Sequence, residues 1–181
     1  MKKFCFVVAL SLSFISGGCP ARSLQQLFAE KDLVFNPSLI GTWSADEETY
    51  TFQQSTEKQY TLIIRSTTSK DSSMYTVQLG KIGALWFLDS YPFANSEEHH
   101  YLSVHIFTRM KLQGDTLRLA SLEGDWLSTM IDKGSIKISH VKREGEIILT
   151  ASTKELQKFI LAAGDNNDAF PNENALVRLE R

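Results

Sequence analysis

From Leu39 onward, apolar and polar residues alternate in run after run, and this constrains the chain more than anything else in it. Tyr50 and Phe52 share one face of TYTFQQ, while Tyr60, Leu62 and Ile64 share one face of QYTLIIR. Tyr75, Val77 and Leu79 repeat the pattern, as do Leu102, Val104 and Ile106, then Leu117 and Leu119. Shorter versions occur at Ile136, Ile138 and His140 and at Ile147 and Leu149. Successive side chains of a strand point to opposite faces, so a period of two means a strand with one buried face. GALWFLD at 83–89 is apolar on both faces, as expected for a strand covered on both sides. Polar turns at 66–73, 112–116 and 143–146 separate the runs. Many short strands with few helices between them predict a mainly β chain, an antiparallel barrel or sandwich.

Three segments break the rhythm. STKELQKFILAAGD at 152–165 predicts a C-terminal amphipathic helix. Ser152 is placed as N-cap with Glu155 three residues on, Leu156, Phe159, Ile160 and Ala163 form one stripe, and Gly164 is placed as the C′ residue. EGDWLSTMID at 123–132 predicts a short helix that plugs or covers the sheet. Ser23 with Gln26, followed by Leu24, Leu27 and Phe28, predicts a further short helix within an N-terminal tether, 19–38, packed across one end of the domain. ALVRLER is read as a final strand. No repeat or linker divides residues 19–181, which are read as one domain.

The first residues fix the expected compartment. Lys2 and Lys3 precede an apolar run at 4–15, too short to cross a bilayer core, which takes about 20 residues, but suited to a signal peptide covering 1–18. Ser16, Gly17 and Gly18 then lead into Cys19. This resembles the bacterial lipobox, in which small residues precede a cysteine that is diacylated on sulfur, for example with palmitate, and becomes the mature N-terminus. Of the two cysteines, Cys5 leaves with the signal, so Cys19 has no internal disulfide partner, and acylation accounts for it. An ordinary signal peptide cut nearby, for example after Ala21, is the other reading. The resemblance implies a lipid-anchored envelope protein. With Pro20 where Asp marks inner-membrane retention, it implies the outer membrane.

The chain carries a formal net charge of −2 and no basic block, which excludes the electrostatic footprint of a nucleic-acid partner. No nucleophile elbow, phosphate loop, dinucleotide fingerprint or metalloprotease helix is present, so nothing in the motifs points to an enzyme or a cofactor. Three of the four histidines, His99, His100 and His105, lie close together beside Glu97 and Glu98, and imidazole and carboxylate suit zinc, copper or nickel. Adjacent strand residues point apart, however, and His99 to His105 spans roughly 20 Å of strand. The three are weak metal candidates, and a solvated loop entering a strand is the favoured reading. Trp86, Phe87 and Trp126 could line an apolar cavity or simply be core. Lys111, Arg118, Lys137, Lys142 and Arg143 read as solvated charge.

GTW at 41–43 heads the first long strand of the meander, and a late helix follows it. This resembles the lipocalin and wider calycin pattern, whose first strand carries Gly-x-Trp. The resemblance implies that Gly41 permits a sharp bend and that Trp43 closes one barrel end beneath an arginine, for which Arg178 is the candidate. The expected protein is a non-enzymatic, membrane-anchored barrel holding a small apolar ligand. The alternative is an envelope protein that acts through a protein partner, as an assembly factor or inhibitor, with the loops at 66–73 and 91–100 as its contacts.

Overall fold

The computed structural model describes residues 19–93, 103–143, 145–171 and 173–180. In chain order the strands are β1 (Arg22–Ser23), β2 (Gly41–Ala45), β3 (Glu48–Gln54), β4 (Gln59–Ser66), β5 (Ser72–Ile82), β6 (Leu85–Pro92), β7 (Ile106–Gln113), β8 (Thr116–Ser121), β9 (His140–Arg143), β10 (Glu146–Leu149) and β11 (Asn174–Glu180). Helix α1 (Gly124–Asp132) follows β8, and α2 (Thr153–Ala163) precedes β11. Eight strands close into a barrel in the order β11-β2-β3-β4-β5-β6-β7-β8. All eight contacts are antiparallel, so the expected barrel is the fold. A small sheet, β1-β10-β9, lies outside it.

Two cores follow from the alternation. Trp43, Tyr50, Phe52, Tyr60, Leu62 and Leu88 point inward and form one contiguous, almost wholly buried cluster with the other inward residues. The second core lies on the outer face of β6, β7 and β8. There Phe87, Phe107 and Ala120 pack under Leu127 of α1, Leu156 and Ile160 of α2, and Leu149 of β10. Strand β6 is therefore apolar on both faces for the expected reason: Leu88 faces the barrel interior and Phe87 the outer layer. Trp86 packs against the interior cluster and Trp126 against the outer one, so these aromatics do not line a common cavity.

The floor of the barrel is built around Trp43. Gly41 has φ 128°, in the region where a side chain would be strained, and turns the chain into β2. The turn Pro37–Leu39 lies across the barrel end with Leu39 fully buried, and the Trp43 indole N–H donates to the Leu39 carbonyl at 3.0 Å. The Arg178 guanidinium lies 3.9 Å from the centroid of the Trp43 ring. It donates to the carbonyls of Ile40 (2.9 Å) and Ser38 (2.6 Å) and to Asp115 (3.1 Å). The arginine expected over the tryptophan is thus Arg178, brought there from the far end of the chain.

The N-terminal segment corrects the sequence reading. No α-helix forms at 23–33. Ser23 pairs with His105 through both backbone groups, and its hydroxyl closes a local turn with Gln25 instead of capping a helix. The chain then crosses the outer wall of the barrel as a strap, with one 3₁₀ turn at Glu30–Asp32. Leu27 and Phe28 are fully buried, which accounts for their spacing without helical periodicity. Phe28 sits on Gly80: a Cβ at Gly80 would fall 2.4 Å from the Phe28 ring. Gly80→Ala is therefore expected to destabilise the protein by about 1–3 kcal/mol through overpacking. In urea denaturation its cost should fall in a Phe28→Leu background, because the two residues share one space. Equal costs in both backgrounds would dismiss the strap contact as the cause.

Two further differences concern strand ends. Strand β7 begins at Ile106 rather than Leu102, which lies outside the described residues. Ile136 and Ile138 lie ahead of β9 in irregular chain, packed against the outer core. Helix α2 has the expected capping box between Ser152 and Glu155. Gly164, though, takes an ordinary right-handed conformation with φ −63°. It is small because a Cβ there would meet the Ile160 carbonyl at 2.8 Å and the Phe87 ring at 3.0 Å.

Arg109, 4% exposed on the outer face of β7, ties the 164–173 segment to the barrel. It donates to the carbonyls of Gly164 (2.9 Å) and Phe170 (3.3 Å), to Asn167 (3.2 Å) and to Glu173 (3.3 Å). Lys111 adds a 2.5 Å bond to Glu173. That bond holds the Glu173 carboxyl below its usual 4.5, against the opposing effect of partial burial. A carboxylate with a depressed folded-state pKa stabilises the fold at neutral pH, and the contribution is lost as pH falls through 4.5 towards that depressed value. The stability gap between wild type and Glu173→Gln, measured by chemical denaturation from pH 7 to pH 3, should narrow on acidification. A gap independent of pH would remove Glu173 from the acid response.

Candidate functional site at the barrel mouth

The antiparallel order places the turns at 46–47 and 67–71, the end of β6 and the start of β7 at the barrel end opposite the Pro37–Leu39 turn, here called the mouth. The inward positions near this end change character. Below lie Phe52, Leu62 and Leu88; above them come Glu48, Ser66, Ser73, Ser90, Thr108 and Ser121. The register sets Glu48 opposite Ser66, Tyr50 opposite Ile64, and Ser73 opposite Ile64, with Tyr75 one inward position deeper, opposite Leu62. Thr108 and Ser121 bond to each other at 3.0 Å. The result is an apolar barrel with a hydroxyl-lined mouth, and Glu48 is the charged side chain among the described residues facing inward there.

Glu48, Tyr50, Ser73 and Tyr75 form the centre of this mouth. The Tyr50 hydroxyl donates to Glu48 at 2.5 Å. Burial, then that bond and the charges of Glu48 and Asp46, raise the Tyr50 phenol far above its ordinary value. Tyr75 is 2% exposed, and among the described residues its hydroxyl has no hydrogen-bond partner. Burial pushes the Tyr75 phenol up to about 12, and the nearby Ser73 hydroxyl opposes this without making a bond of ordinary geometry. Both tyrosines therefore stay protonated at neutral pH. A buried hydroxyl left unpartnered carries a desolvation penalty of about 1–3 kcal/mol, which a ligand supplying the missing bond would relieve.

Sequence reading placed Tyr50 and Tyr75 on buried faces but did not single out their hydroxyls. The signal was available: each follows a polar residue two positions earlier on the same face, Glu48 and Ser73.

The histidine candidates divide. His99 and His100 lie outside the described residues. His105 is held by Asp89, Nδ1 to Oδ1 at 2.7 Å, and its ring lies against Tyr91 at 4.9 Å between centroids. Asp89 is fully buried, and its second oxygen accepts the backbone N–H of Leu27 at 2.7 Å. With one carboxylate oxygen on the Leu27 N–H and the other on His105, the pair fastens the strap to the barrel wall. Among the described residues no group of three or more His, Cys, Asp and Glu is arranged to hold a metal ion. A cleft of about 690 Å³ between the strap and the 55–58 turn is lined by Phe28, Leu33, Glu57, Lys58 and Gln78, and opens broadly to solvent.

Cys19 is exposed. Its carbonyl accepts the N–H of Gly124 at 3.0 Å, Pro20 bridges to Glu123, and the Ala21 N–H donates to Leu122 at 2.8 Å. These partners lie just past the mouth end of β8. Gly124 is needed there because a Cβ would meet the Cys19 carbonyl at 2.6 Å. Among the described residues no helix is long and apolar enough to cross a membrane. Comparison with known protein families, curated proteins and solved structures yields no match.

Proposed function

We propose that this chain is the precursor of a lipid-anchored envelope protein, acylated at Cys19, that binds a small ligand at the mouth of its barrel and catalyses no reaction on it. The observation that carries the binding reading is the Tyr75 hydroxyl, buried without a partner beside the Glu48–Tyr50 bond. The expected small apolar ligand in the barrel interior would have to compete with the aromatic and aliphatic side chains clustered there. Anchoring in the outer membrane rests on the lipobox-like run ending at Cys19 and on Pro20 after it. A mature protein beginning at Cys19 would have almost no free tether, since Ala21 and Ser23 are already bonded to the domain.

Two measurements test the two parts. Acyl labelling of wild type against Cys19→Ala should lose the label in the variant, and equal labelling would remove the anchor. Native mass spectrometry of the protein from its own envelope should show a reproducible extra mass of small-molecule size that Tyr75→Phe reduces. Bare protein at the calculated mass would overturn ligand binding and leave a protein partner at the loops as the reading.

A further inference from the structure

Resting on the binding reading above, the geometry points to a specific ligand chemistry: we propose that the mouth of the barrel binds a primary ammonium group. Three features converge on this. Glu48 is the inward-facing carboxylate of the mouth, and only one of its acceptor sites is used by the Tyr50 hydroxyl; an ionised carboxylate offers about four. The Tyr75 hydroxyl is buried and unpartnered, and as an acceptor it can receive a second N–H. Ser73 lies at the rim of the same inward row, two residues from Tyr75, and can receive the third. An ammonium has three donors and no acceptor, which matches one carboxylate and two hydroxyls. A phosphate or carboxylate ligand would face Glu48 with like charge. Lys and Arg are absent from the described inward positions of β3, β4 and β5 at this end, which are Glu48, Tyr50, Ile64, Ser66, Ser73 and Tyr75.

The placement of Cys19 identifies two sources for such a group. The first residues of the mature chain are bonded to Leu122, Glu123 and Gly124, directly beyond the mouth end of β8. With an acyl anchor at Cys19, the mouth lies at the membrane end of the barrel. The ammonium can then come from a phospholipid headgroup of that bilayer or from a soluble amine of the surrounding fluid.

The mature protein, labelled with ¹³C at the tyrosine ring Cζ, is titrated with ethanolamine, with dihexanoyl phosphatidylethanolamine and with dihexanoyl phosphatidylglycerol. Tyr50→Phe and Tyr75→Phe assign the resonances. The expected result is a saturable shift of the Tyr50 and Tyr75 signals with an amine-bearing probe and none with phosphatidylglycerol. Glu48→Gln should weaken that binding at least tenfold. A shift with the phospholipid but not with ethanolamine assigns the headgroup, and a comparable shift with both assigns a free amine. Equal shifts with both lipids, no shift with either amine, or unchanged affinity in Glu48→Gln would overturn the ammonium site. If the amines fail while an extra mass still co-purifies with the protein, this inference falls and ligand binding stands. If no mass co-purifies either, both fall.

Discussion

Trp43→Ala is expected to destabilise the protein by about 4 kcal/mol, within the ~3–5 kcal/mol range for truncating a fully buried tryptophan. For a chain of this size that corresponds to a fall in melting temperature of roughly 10 °C. The size of the effect comes from what the indole does at once. It fills the floor of the barrel at 0% exposure, donates to the Leu39 carbonyl, and presents its face to Arg178. Without the ring, the Leu39 carbonyl and the guanidinium both lose a partner, and the Pro37–Leu39 turn loses its footing. Trp43→Phe should be milder, at about 1–2 kcal/mol, because it removes one hydrogen bond and keeps most of the apolar contact. Urea denaturation of both variants provides the measurement. A Trp43→Ala cost below 1 kcal/mol would mean that the floor is not where this barrel is held closed.

The barrel could be read because its cause is periodic. One face of each strand must be buried, and a period of two records that need directly in the chain. The second core was only partly legible. GALWFLD announces a strand covered on both sides, but which elements supply the cover depends on contacts between residues more than a hundred positions apart, such as Thr153 with Gln26. The strap shows how local spacing misleads. Leu24, Leu27 and Phe28 have helical spacing, yet Phe28 is buried because Gly80 leaves room for its ring. A helical prior loses there to backbone pairing of Ser23 with His105 and to tertiary packing.

The site was less legible than the fold. Glu48, Tyr50, Ser73 and Tyr75 come from two strands that pair with β4 but not with each other, and no local motif joins them. The visible histidine cluster drew attention instead. Only His105 of that group lies among the described residues, and it is engaged with Asp89. Asp89 itself carried a readable signal, a carboxylate at the end of an otherwise apolar run.

Asp89→Leu is expected to cost about 3 kcal/mol, because buried polar groups cost most when one partner is deleted and the other remains. The change strands the Leu27 N–H at a site with no access to water and leaves His105 Nδ1 without its partner. The His105 side chain keeps 14% exposure, so water recovers part of that loss, and the estimate sits at the lower end for breaking a buried pair. Asp89→Asn should cost about 1 kcal/mol, since the amide oxygen can still accept from Leu27 while its nitrogen donates to the imidazole. The two variants separate the hydrogen bond from the charge. Amide exchange at Leu27 should quicken markedly in Asp89→Leu and little in Asp89→Asn, reporting release of the strap ahead of the barrel. Because Asp89 lies outside the barrel wall, amine binding at the mouth should survive Asp89→Asn unchanged. If Asp89→Leu were as stable as wild type, with Leu27 equally protected, the strap would have to be held by Phe28 on Gly80 alone, and the Asp89–His105 pair would lose its structural explanation.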